Sequence, residues 1–295
     1  MVGVSIYLNG KFYADRDKAT ISVYDHGFLY GDGIFEGIRV YNGRVFKLDE
    51  HIRRLYLSAI SIFLHIPITQ EKMRQLVVET CRRSGLKDIY IRLVVSRGQG
   101  DFGLDPRKCL SPTILIVADK IALYPPEKYK KGLKVMTSSI RRNRPDTINA
   151  QIKSLNYLNN ILAKIETFKY GADEAVMLND EGYVSEATAD NIFILKNGKL
   201  YTPPAYLGIL EGITRATVME IAVKMGYKVL ENPFTVHDIY TSDECFLTGS
   251  GAELIPVIEI DDRLVGDGKP GKNFLKLMTA YQKMTHSQGT PIYKK

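Results

Sequence analysis

The stretch that decides the fold is "GIRVYNGRVFKL", residues 37–48. Apolar residues alternate with other residues on both sides of Asn42-Gly43, a pair that favours the positive φ angles of a type I′ turn. The pattern predicts an antiparallel hairpin. The stretch "SIYLNGKFY", residues 5–13, repeats it around Asn9-Gly10, so the first part of the chain is expected to build its sheet from hairpins.

Predicted helices and further strands follow these hairpins without a regular order. Apolar residues recur at helical spacing after Asp49, which we expect to cap the first helix, and again between Thr69 and Gly85. Two strands are predicted next, "DIYIRLVVSRG" at 88–98 and "PTILIVAD" at 112–119. Strands and helices do not alternate as in a doubly wound sheet, so the predicted fold class is α+β, a mixed α/β architecture.

The length of the chain, 295 residues, favours two domains. The stretch "KIALYPPEKYKKG", residues 120–132, contains two prolines and five charged residues and is typical of a linker. The sequence therefore predicts a small N-terminal domain over 1–119, a linker over 120–132 and a larger domain over 133–295.

The composition is that of an ordinary soluble globular protein, with 45% hydrophobic and 25% charged residues. The three cysteines, Cys81, Cys109 and Cys245, lack the spacing of a metal site and cannot all pair, which indicates a reducing compartment. The N-terminus lacks the apolar core of a signal peptide, and no apolar run approaches the roughly 20 residues of a membrane span. We therefore expect a cytoplasmic protein with no metal and no membrane partner.

The net charge of +7 raises the question of a nucleic-acid partner. Basic clusters occur at 51–55, 81–85 and 140–145, but they are scattered and no aromatic platform lies among them. A solvated basic surface, or attraction for small anions, accounts for the charge, and we expect no nucleic-acid partner.

Lys153 stands out among the lysines because its segment, "NAQIKSLNYLNN" at 149–160, holds small, amide and apolar residues. A lysine on a solvated helix face normally has charged neighbours. A lysine used as a nucleophile needs a dry, crowded setting that favours the neutral amine. Lys153 is therefore a candidate nucleophile, with Tyr157 four residues further on.

Two stretches could hold a phosphate group. In "LEGITRATV", 210–218, Gly212 permits close approach of the backbone, and Ile213 and Thr214 would offer the first amides of a helix, beside the Thr214 hydroxyl. In "LTGSGAEL", 247–254, residues 249–251 form a turn rich in backbone amides. Neither matches a P-loop or a dinucleotide-binding motif, and an ordinary helix cap and strand end remain the alternatives.

Two charged residues are candidates for the same site. The guanidinium of Arg54, on the first predicted helix, suits a phosphate, although a solvated helix face is the alternative. Glu186 directly follows a short predicted strand in "GYVSEATADNIF", 182–193, and small residues follow it. A carboxylate in this setting could keep a ring nitrogen protonated in a cofactor that acts as an electron sink; a surface glutamate is the alternative.

Several motifs, taken in their order along the chain, resemble those of the branched-chain-amino-acid aminotransferases. These are pyridoxal-phosphate enzymes of fold type IV, and the likeness is to the archaeal and thermophilic bacterial forms. It extends from Ile6 to about Val265 and rests on "YGDGIFEGIRVY" at 30–41, "EHIRRLYLSA" at 50–59, "YIRLVVSRG" at 90–98, "KSLNYLNN" at 153–160, "EATADNIF" at 186–193, "GITR" at 212–215 and "TGSGAEL" at 248–254. The resemblance implies the two-domain fold of type IV, a small N-terminal α/β domain and a larger C-terminal α/β domain with a barrel-like sheet.

The resemblance implies a role for each candidate residue toward the cofactor, pyridoxal 5′-phosphate. Lys153 binds the cofactor covalently and carries a proton during catalysis, and Glu186 pairs with the pyridine nitrogen. The other cofactor-binding residues hydrogen-bond the phenolic oxygen (Tyr157), pack on the ring (Leu210) or lie at the phosphate (Arg54, Gly212, Ile213, Thr214 and Ser250).

The resemblance also implies the reaction. The amino group of a branched-chain L-amino acid, leucine, isoleucine or valine, passes to 2-oxoglutarate by a ping-pong mechanism, so one pocket must accept apolar side chains and the second carboxylate of glutamate. Arg92 serves that carboxylate. The other substrate-side positions are Tyr30 from the partner subunit, Phe35, Arg39, Tyr90, Ser250 and Gly251. Members of the family form homodimers, and some assemble three dimers into a hexamer, so a homo-oligomer is expected.

Two other enzyme classes share fold type IV, the D-amino-acid aminotransferases and the aminodeoxychorismate lyases. The D-specific enzymes have the pattern RGxxxRxH where this chain has "RGQGDFGLDP" at 97–106, with Phe102 and Leu104 at the arginine and histidine positions. They also lack a tyrosine at the position of Tyr157. One departure affects side-chain preference: many branched-chain enzymes have Gly-Thr-Ala where this chain has Gly-Ser-Gly at 249–251. A relative that binds without catalysing remains a further alternative.

Overall fold

The computed structural model describes residues 3–293, which cluster into two compact units. The first unit runs up to Ile121 and also takes in Ile152–Asn156 and the chain from Thr285 onward. The second unit comprises Ala122–Gln151 and Tyr157–Met284. The division predicted at 120–132 stays a prediction; this stretch contains a short helix, Pro126–Lys131.

The strands of both units, in chain order, are β1 Ser5–Leu8, β2 Lys11–Tyr13, β3 Gly33–Tyr41, β4 Arg44–Val45, β5 Ile89–Ser96, β6 Thr113–Asp119, β7 Leu133–Thr137, β8 Glu174–Leu178, β9 Val184–Ala187, β10 Asn191–Lys196, β11 Lys199–Thr202, β12 Lys228–Glu231, β13 Glu244–Gly249, β14 Glu253–Ile260, β15 Arg263–Leu264 and β16 Thr290–Pro291. The helices are α1 His26–Tyr30, α2 Leu48–Ser61, α3 Gln70–Ser84, α4 Pro126–Lys131, α5 Leu158–Tyr170, α6 Ile213–Lys224, α7 Val236–Tyr240 and α8 Lys272–Ser287.

The first unit is built on a seven-stranded sheet in the order β16-β4-β3-β5-β6-β1-β2, in which every neighbouring pair is antiparallel. Both predicted hairpins are confirmed. Asn42 and Gly43 have φ angles of 47° and 73°, and Asn9 and Gly10 have φ angles of 45° and 92°, as a type I′ turn requires. The apolar core of this unit lies between the sheet and helices α2 and α3.

Helices α2 and α3 test the predicted helix ends. Thr69 caps α3 through its hydroxyl, which accepts a hydrogen bond from the Lys72 amide, and Gly85 ends the helix with a φ of 69°, as predicted. The prediction that Asp49 caps α2 is wrong. The helix begins at Leu48, so Asp49 lies in its first turn, where its negative charge still favours the positive end of the helix dipole.

The second unit contains a nine-stranded sheet in the order β12-β11-β10-β13-β14-β7-β8-β9, with β15 paired to β14. Only β11–β12, β14–β7 and β7–β8 are parallel among the strand pairs of the described chain. The antiparallel sheet of the first unit and the mixed sheet of the second unit confirm the predicted α+β class and its difference from a doubly wound fold.

Two further expectations concern the cysteines and membrane-spanning helices. Cys81 and Cys245 are buried, and burial raises the pKa of both thiols, as expected for small apolar core residues. Cys109 is half-buried. Across residues 3–293, no helix has the length and apolar character needed to cross a membrane.

Candidate active site

Four predicted substrate-side residues lie on one face of the sheet in the first unit. Strands β3 and β5 pair so that Arg39 is opposite Tyr90 and Gly37 is opposite Arg92. Residues directly opposite each other in an antiparallel pair share a face, and residues two apart on one strand do so too. Phe35 therefore joins Arg39, Tyr90 and Arg92 on this face. Position 37 lies between these side chains. A Cβ there would be 2.3 Å from the Tyr90 hydroxyl, so a residue larger than glycine would clash with it.

The ring of Phe35 contacts two of the predicted functional cations. The guanidinium carbon of Arg92 lies 3.5 Å from the ring centroid, and the Nζ atom of Lys153 lies 4.6 Å from it. Phe35 is 4% exposed, so its ring is a fixed surface. The aromatic face attracts both cations electrostatically and holds them close to this face of the sheet.

The segment Ile152–Asn156 adds to the edge of β3 and fixes the Lys153 backbone. The Phe35 amide donates to the Lys153 carbonyl at 2.9 Å, and the Leu155 amide donates to the Gly33 carbonyl at 2.9 Å. The Lys153 amide donates to the Ser58 hydroxyl at 3.2 Å. The lysine that the sequence singled out is thus anchored to both β3 and α2, which makes it a positioned side chain rather than a residue on a solvated helix.

The opposite face of β3 carries a buried charged cluster that includes the predicted phosphate ligand Arg54. Glu36 is completely buried, and its carboxylate accepts hydrogen bonds from Arg54 Nε at 2.7 Å and Arg54 Nη2 at 2.8 Å. His51 Nδ1 lies 2.7 Å from the same carboxylate and must carry the hydrogen, because an ionised carboxylate only accepts. The sequence did not predict that Arg54 already has a carboxylate partner.

The pKa values of the cluster follow from burial and from its charges. Burial by itself raises the pKa of Glu36, but the charge and hydrogen bonds of Arg54, followed by those of His51, outweigh it and lower the pKa to about 2. Burial lowers the pKa of His51, helped by the charges of Arg54 and Lys153 and opposed by Glu36. At neutral pH the cluster therefore contains an ionised Glu36, a charged Arg54 and a neutral His51.

The remaining predicted substrate-side residue of the first unit, Tyr30, lies at the end of α1 and contacts the loop over residues 99–105. Its hydroxyl accepts a hydrogen bond from the Gly103 amide at 3.1 Å. Phe102 packs on Tyr24 with ring centroids 5.2 Å apart, while Leu104 is exposed. The loop that presents Phe102 and Leu104 is thus fastened to the residues around α1.

In the second unit, Glu186 on β9 is a buried and firmly held carboxylate. Arg142 Nε donates to its Oε1 atom at 2.9 Å, and Arg142 Nη2 lies 2.9 Å from the same oxygen. Oε2 accepts hydrogen bonds from Asn191 Nδ2 and from the Leu210 amide, each at 3.0 Å. Glu186 is 5% exposed, which overturns the alternative of a solvated surface glutamate.

The first predicted phosphate-binding stretch lies beside this carboxylate. Gly212 is the N-cap of α6, so the amides of Ile213 and Thr214 lie in the first turn, where no helical carbonyl can accept from them. Asn191 Nδ2 donates to the Leu210 carbonyl at 2.8 Å as well as to Glu186. A Cβ on Gly212 would be 2.0 Å from Asn191 Oδ1, so the close packing of this turn requires glycine.

The second predicted phosphate-binding stretch is the turn between β13 and β14. Gly249 pairs with Glu253 at the ends of the two strands, which leaves Ser250, Gly251 and Ala252 in the turn. A Cβ on Gly249 would be 1.8 Å from Asp190 Oδ1, so this turn packs against the turn between β9 and β10. Tyr157 is the residue before α5, at its N-cap.

Sequence reasoning missed four residues that hold the predicted ones in place: Glu36, His51, Arg142 and Asn191. Glu36 and Asn191 lie inside quoted motifs, but nothing in their sequence neighbourhood indicates which side chain they would contact. Arg142 was counted only as part of a scattered basic cluster. The sequence leaves open whether Glu186 is buried, so it gives no signal for a basic partner; the burial found in the structure implies one, since buried charges are paired.

The residues of the second unit suit pyridoxal 5′-phosphate by their chemistry. Glu186 is an acceptor for a protonated ring nitrogen, and the first turn of α6 offers amides and the Thr214 hydroxyl for a phosphate. Asn191 connects the two through Glu186 and Leu210. Residues 186–214 thus contain both an acceptor that suits a ring nitrogen and donors that suit a phosphate group.

Comparison with known proteins gives a consistent result. Residues 33–260 match the model of the family "Amino-transferase class IV". A putative branched-chain-amino-acid aminotransferase of Methanocaldococcus jannaschii is 51% identical over 290 residues, which is 98% of this chain and 99% of that protein. The crystal structure of the Escherichia coli branched-chain amino acid aminotransferase is similar with a TM-score of 0.94 at 30% identity, covering 97% of this chain and 96% of that one.

Two further matches bear on the cofactor and on the competing enzyme class. The crystal structure of the branched-chain amino acid aminotransferase from Thermobaculum terrenum, in its holo-form with PLP, is similar with a TM-score of 0.90 at 28% identity, covering 98% of this chain and 98% of that one. The D-alanine aminotransferase of Bacillus licheniformis is 32% identical over 279 residues, 95% of this chain and 96% of that protein. Its identity to this chain is lower than that of the Methanocaldococcus jannaschii protein.

Proposed function

This chain belongs to the class IV aminotransferases and transaminates branched-chain amino acids with pyridoxal 5′-phosphate, and we propose that 2-oxoglutarate is its amino-group acceptor. The proposed reaction is ping-pong. A branched-chain L-amino acid, leucine, isoleucine or valine, leaves as its 2-oxo acid, and 2-oxoglutarate then takes the nitrogen and leaves as L-glutamate. The observation that carries the cofactor assignment is the buried, fixed carboxylate of Glu186 beside the open first turn of α6.

The proposed roles at the cofactor follow the chemistry of the residues. When bound, pyridoxal 5′-phosphate supplies the electron sink that allows the α-carbon of an amino acid to lose a proton. Glu186 accepts a hydrogen bond from the ring nitrogen and so favours its protonated form. The phosphate is bound by Arg54, by the amides at Gly212, Ile213 and Thr214 and by Ser250, while Tyr157 hydrogen-bonds the phenolic oxygen and Leu210 packs on the ring.

Lys153 is proposed as the covalent attachment point and as the group that moves the proton between the substrate's α-carbon and the C4′ atom. Its backbone is tied to Phe35 and Ser58, so its amine starts from a defined place. Proton transfer is efficient when the base is held within hydrogen-bond reach of the proton it takes. The anchoring of this one lysine supports the role that the sequence suggested.

Dual substrate recognition is proposed for the sheet face of the first unit. Arg92 offers a guanidinium for the γ-carboxylate of glutamate, and its stacking on Phe35 keeps that charge next to an apolar surface. Tyr90 and Arg39 line the same face, and the turn at Ser250 and Gly251 is proposed for the substrate's α-carboxylate. An apolar side chain and a charged one can then use neighbouring parts of one surface.

A homo-oligomer and a cytoplasmic location stay predictions. Support for the homo-oligomer comes from α5, which exposes apolar side chains at helical spacing: Leu158, Ile161, Leu162, Ile165 and Phe168. Exposed apolar clusters of this kind are typical of protein interfaces. The prediction that Tyr30 serves the site of a partner subunit depends on such an assembly. Light scattering in solution measures the molar mass and would contradict the prediction by giving a monomer.

The experiment that tests the function is absorbance combined with turnover. The purified protein loaded with pyridoxal 5′-phosphate should be yellow, and L-leucine should bleach that band. Supplied separately with 2-oxoglutarate as acceptor, L-leucine should turn over and D-alanine should not. Lys153→Ala should abolish turnover while leaving the fold intact. Turnover of D-alanine alone, or substantial activity without Lys153, would contradict the proposal.

The D-specific alternative is opposed by one feature of the first unit. Phe102 and Leu104 occupy the loop positions at which the D-specific enzymes carry a carboxylate-trapping arginine and histidine, and both side chains are exposed and apolar. Neither of these two side chains can pair with a carboxylate. The same test distinguishes the lyase alternative, since a lyase would not transfer the amino group to 2-oxoglutarate.

A further inference from the structure

Arg142 is turned inward in the second unit, unlike its neighbours in the basic cluster at 140–145. Its side chain is 10% exposed and contacts Glu186 through Nε and Nη2. Arg144 is 57% exposed and pairs with the exposed Asp146 and Asp180. The basic cluster therefore contains one largely buried arginine, Arg142, beside a buried carboxylate, and two exposed arginines, Arg141 and Arg144.

The position of Arg142 is fixed by contacts that do not involve Glu186. Its backbone amide donates to the Leu178 carbonyl at 2.8 Å, which ties it to β8. Its Nη1 donates to Asn160 Oδ1 at 3.3 Å, and Asn160 Nδ2 donates to the Thr188 carbonyl at 2.6 Å. Asn160 is on α5 and Thr188 follows β9, so three elements hold the guanidinium where it meets the carboxylate.

We propose that Arg142 is a positioning residue that holds Glu186 ionised and oriented to accept a hydrogen bond from the ring nitrogen of the coenzyme. The inference rests on the proposed role of Glu186 in the function above. A carboxyl group as buried as Glu186 would be favoured in its neutral form if no cation lay beside it. The neutral acid places a hydrogen on one oxygen and is a weaker acceptor, so the ring nitrogen would lose the partner that keeps it protonated.

Asn191 and Leu210 also contact Glu186, but neither replaces Arg142. Asn191 and the Leu210 amide are neutral donors, and both bind Oε2. They orient the carboxylate but carry no full positive charge. Arg142 therefore places a full positive charge in direct contact with the Glu186 carboxylate, and an arginine with only a packing role would not affect the protonation of the coenzyme.

The test compares Arg142→Met and Arg142→Lys with Arg144→Met as the matched surface control, each prepared with and without coenzyme. Two quantities are measured: the affinity of the coenzyme-free protein for pyridoxal 5′-phosphate, and the NMR shift of coenzyme labelled with ¹⁵N at the ring nitrogen, which reports its protonation. Arg142→Met should weaken binding by about 10- to 100-fold, as expected for loss of a charge-assisted contact, and should move the ¹⁵N signal toward the unprotonated form. Arg142→Lys should restore part of both, and Arg144→Met should match the wild type.

The outcomes separate this inference from the proposed function. A wild type with a protonated ring nitrogen and an Arg142→Met variant with the same ¹⁵N signal would overturn the role of Arg142 and leave the function intact. A wild type that binds no coenzyme would overturn both. If Arg142→Met does not fold, Arg142→Gln, which is neutral but polar, takes its place. An unprotonated ring nitrogen in Arg142→Gln with a retained proton in Arg144→Met supports the inference, and a wild-type signal in both overturns it.

Discussion

Replacing Glu36 by glutamine should destabilise the first unit, because it removes the charge that compensates Arg54. Glu36 is completely buried, and the Arg54 side chain that contacts it is only 14% exposed. Glutamine has nearly the same shape and keeps one oxygen that can accept from Arg54. The substitution therefore removes a buried negative charge while changing the packing very little, and Arg54 loses the charge of the carboxylate that contacts it.

Two independent arguments give the size of the effect. Removing one partner of a buried ion pair costs about 3–5 kcal/mol. The second argument starts from the pKa of Glu36, which is about 2 in the folded protein, against 4.5 for an ordinary glutamate. Since each tenfold change in proton affinity is worth about 1.4 kcal/mol, this lowering corresponds to about 3 kcal/mol. The retained amide oxygen favours the lower end of the first range, so we expect a loss of about 3 kcal/mol.

The pH dependence has a definite sign. Because the pKa of Glu36 is lower in the folded protein, the unfolded chain takes up the proton first as the pH falls. The stabilisation by ionised Glu36 is complete above about pH 4.5 and is lost as the pH falls toward about 2. The difference between wild type and Glu36→Gln should therefore be constant between pH 7 and pH 5 and should shrink at lower pH.

The assay is urea unfolding of the coenzyme-free protein at pH 7, pH 5 and pH 3. The control is Glu50→Gln, on the helix that carries Arg54, which pairs with Lys47 at 3.1 Å where both side chains are solvent-accessible. An exposed pair of this kind contributes about 0–1 kcal/mol, so the control should unfold nearly as the wild type does. A loss below about 1 kcal/mol in Glu36→Gln, close to that of the control, would refute the charge-compensation argument.

Three further predictions concern neighbouring residues. Burial lowers the pKa of His51, so below about pH 6.5 the unfolded chain binds a proton more readily than the folded protein does, and the wild type loses stability. His51→Asn keeps a donor for Glu36 but cannot be protonated. Between pH 7 and pH 5, its free energy of unfolding in urea should therefore fall less than that of the wild type. Gly212→Ala places a Cβ 2.0 Å from Asn191 Oδ1, so it should weaken pyridoxal 5′-phosphate binding at least about tenfold by titration; unchanged affinity would mean that Asn191 can move freely. Arg92→Ala should raise the KM for 2-oxoglutarate by about 10- to 100-fold and that for leucine far less, and equal increases would count against its role.

The local features of the fold were predictable because their causes are local. Asn42-Gly43 needs only its own φ preferences to form a turn. Thr69 can cap a helix with its own hydroxyl, and Gly85 can end one because it has no side chain to oppose a positive φ. The prediction for Asp49 is wrong because the N-cap is the last non-helical residue before the helix, and the side chain of Asp49 does not determine which residue that is. Here Lys47 adopts a left-handed conformation, with a φ of 51°, and Leu48 rather than a residue after Asp49 begins the helix.

The candidate site was predictable only where a motif carried it. The resemblance indicated Lys153, Glu186 and the first turn of α6, but not the side chains that hold them. Arg142 and Glu186 are 44 residues apart, and Arg54 and Glu36 are 18 apart on different elements. No periodicity or capping rule links such pairs, because the contact exists only after the elements have packed.

Both buried ion pairs point to the same physical design. Taking a carboxylate and a guanidinium out of water is costly, and apolar residues of similar size often give equal or greater stability in the same place. Glu36 with Arg54, and Glu186 with Arg142, therefore make little sense as devices for stability alone. Each pair contains one residue that the proposed function assigns to the coenzyme, and each supplies that residue with a fixed orientation and a fixed charge before any ligand is bound. Binding then does not have to pay for ordering these side chains, which is how a preorganised site gains affinity.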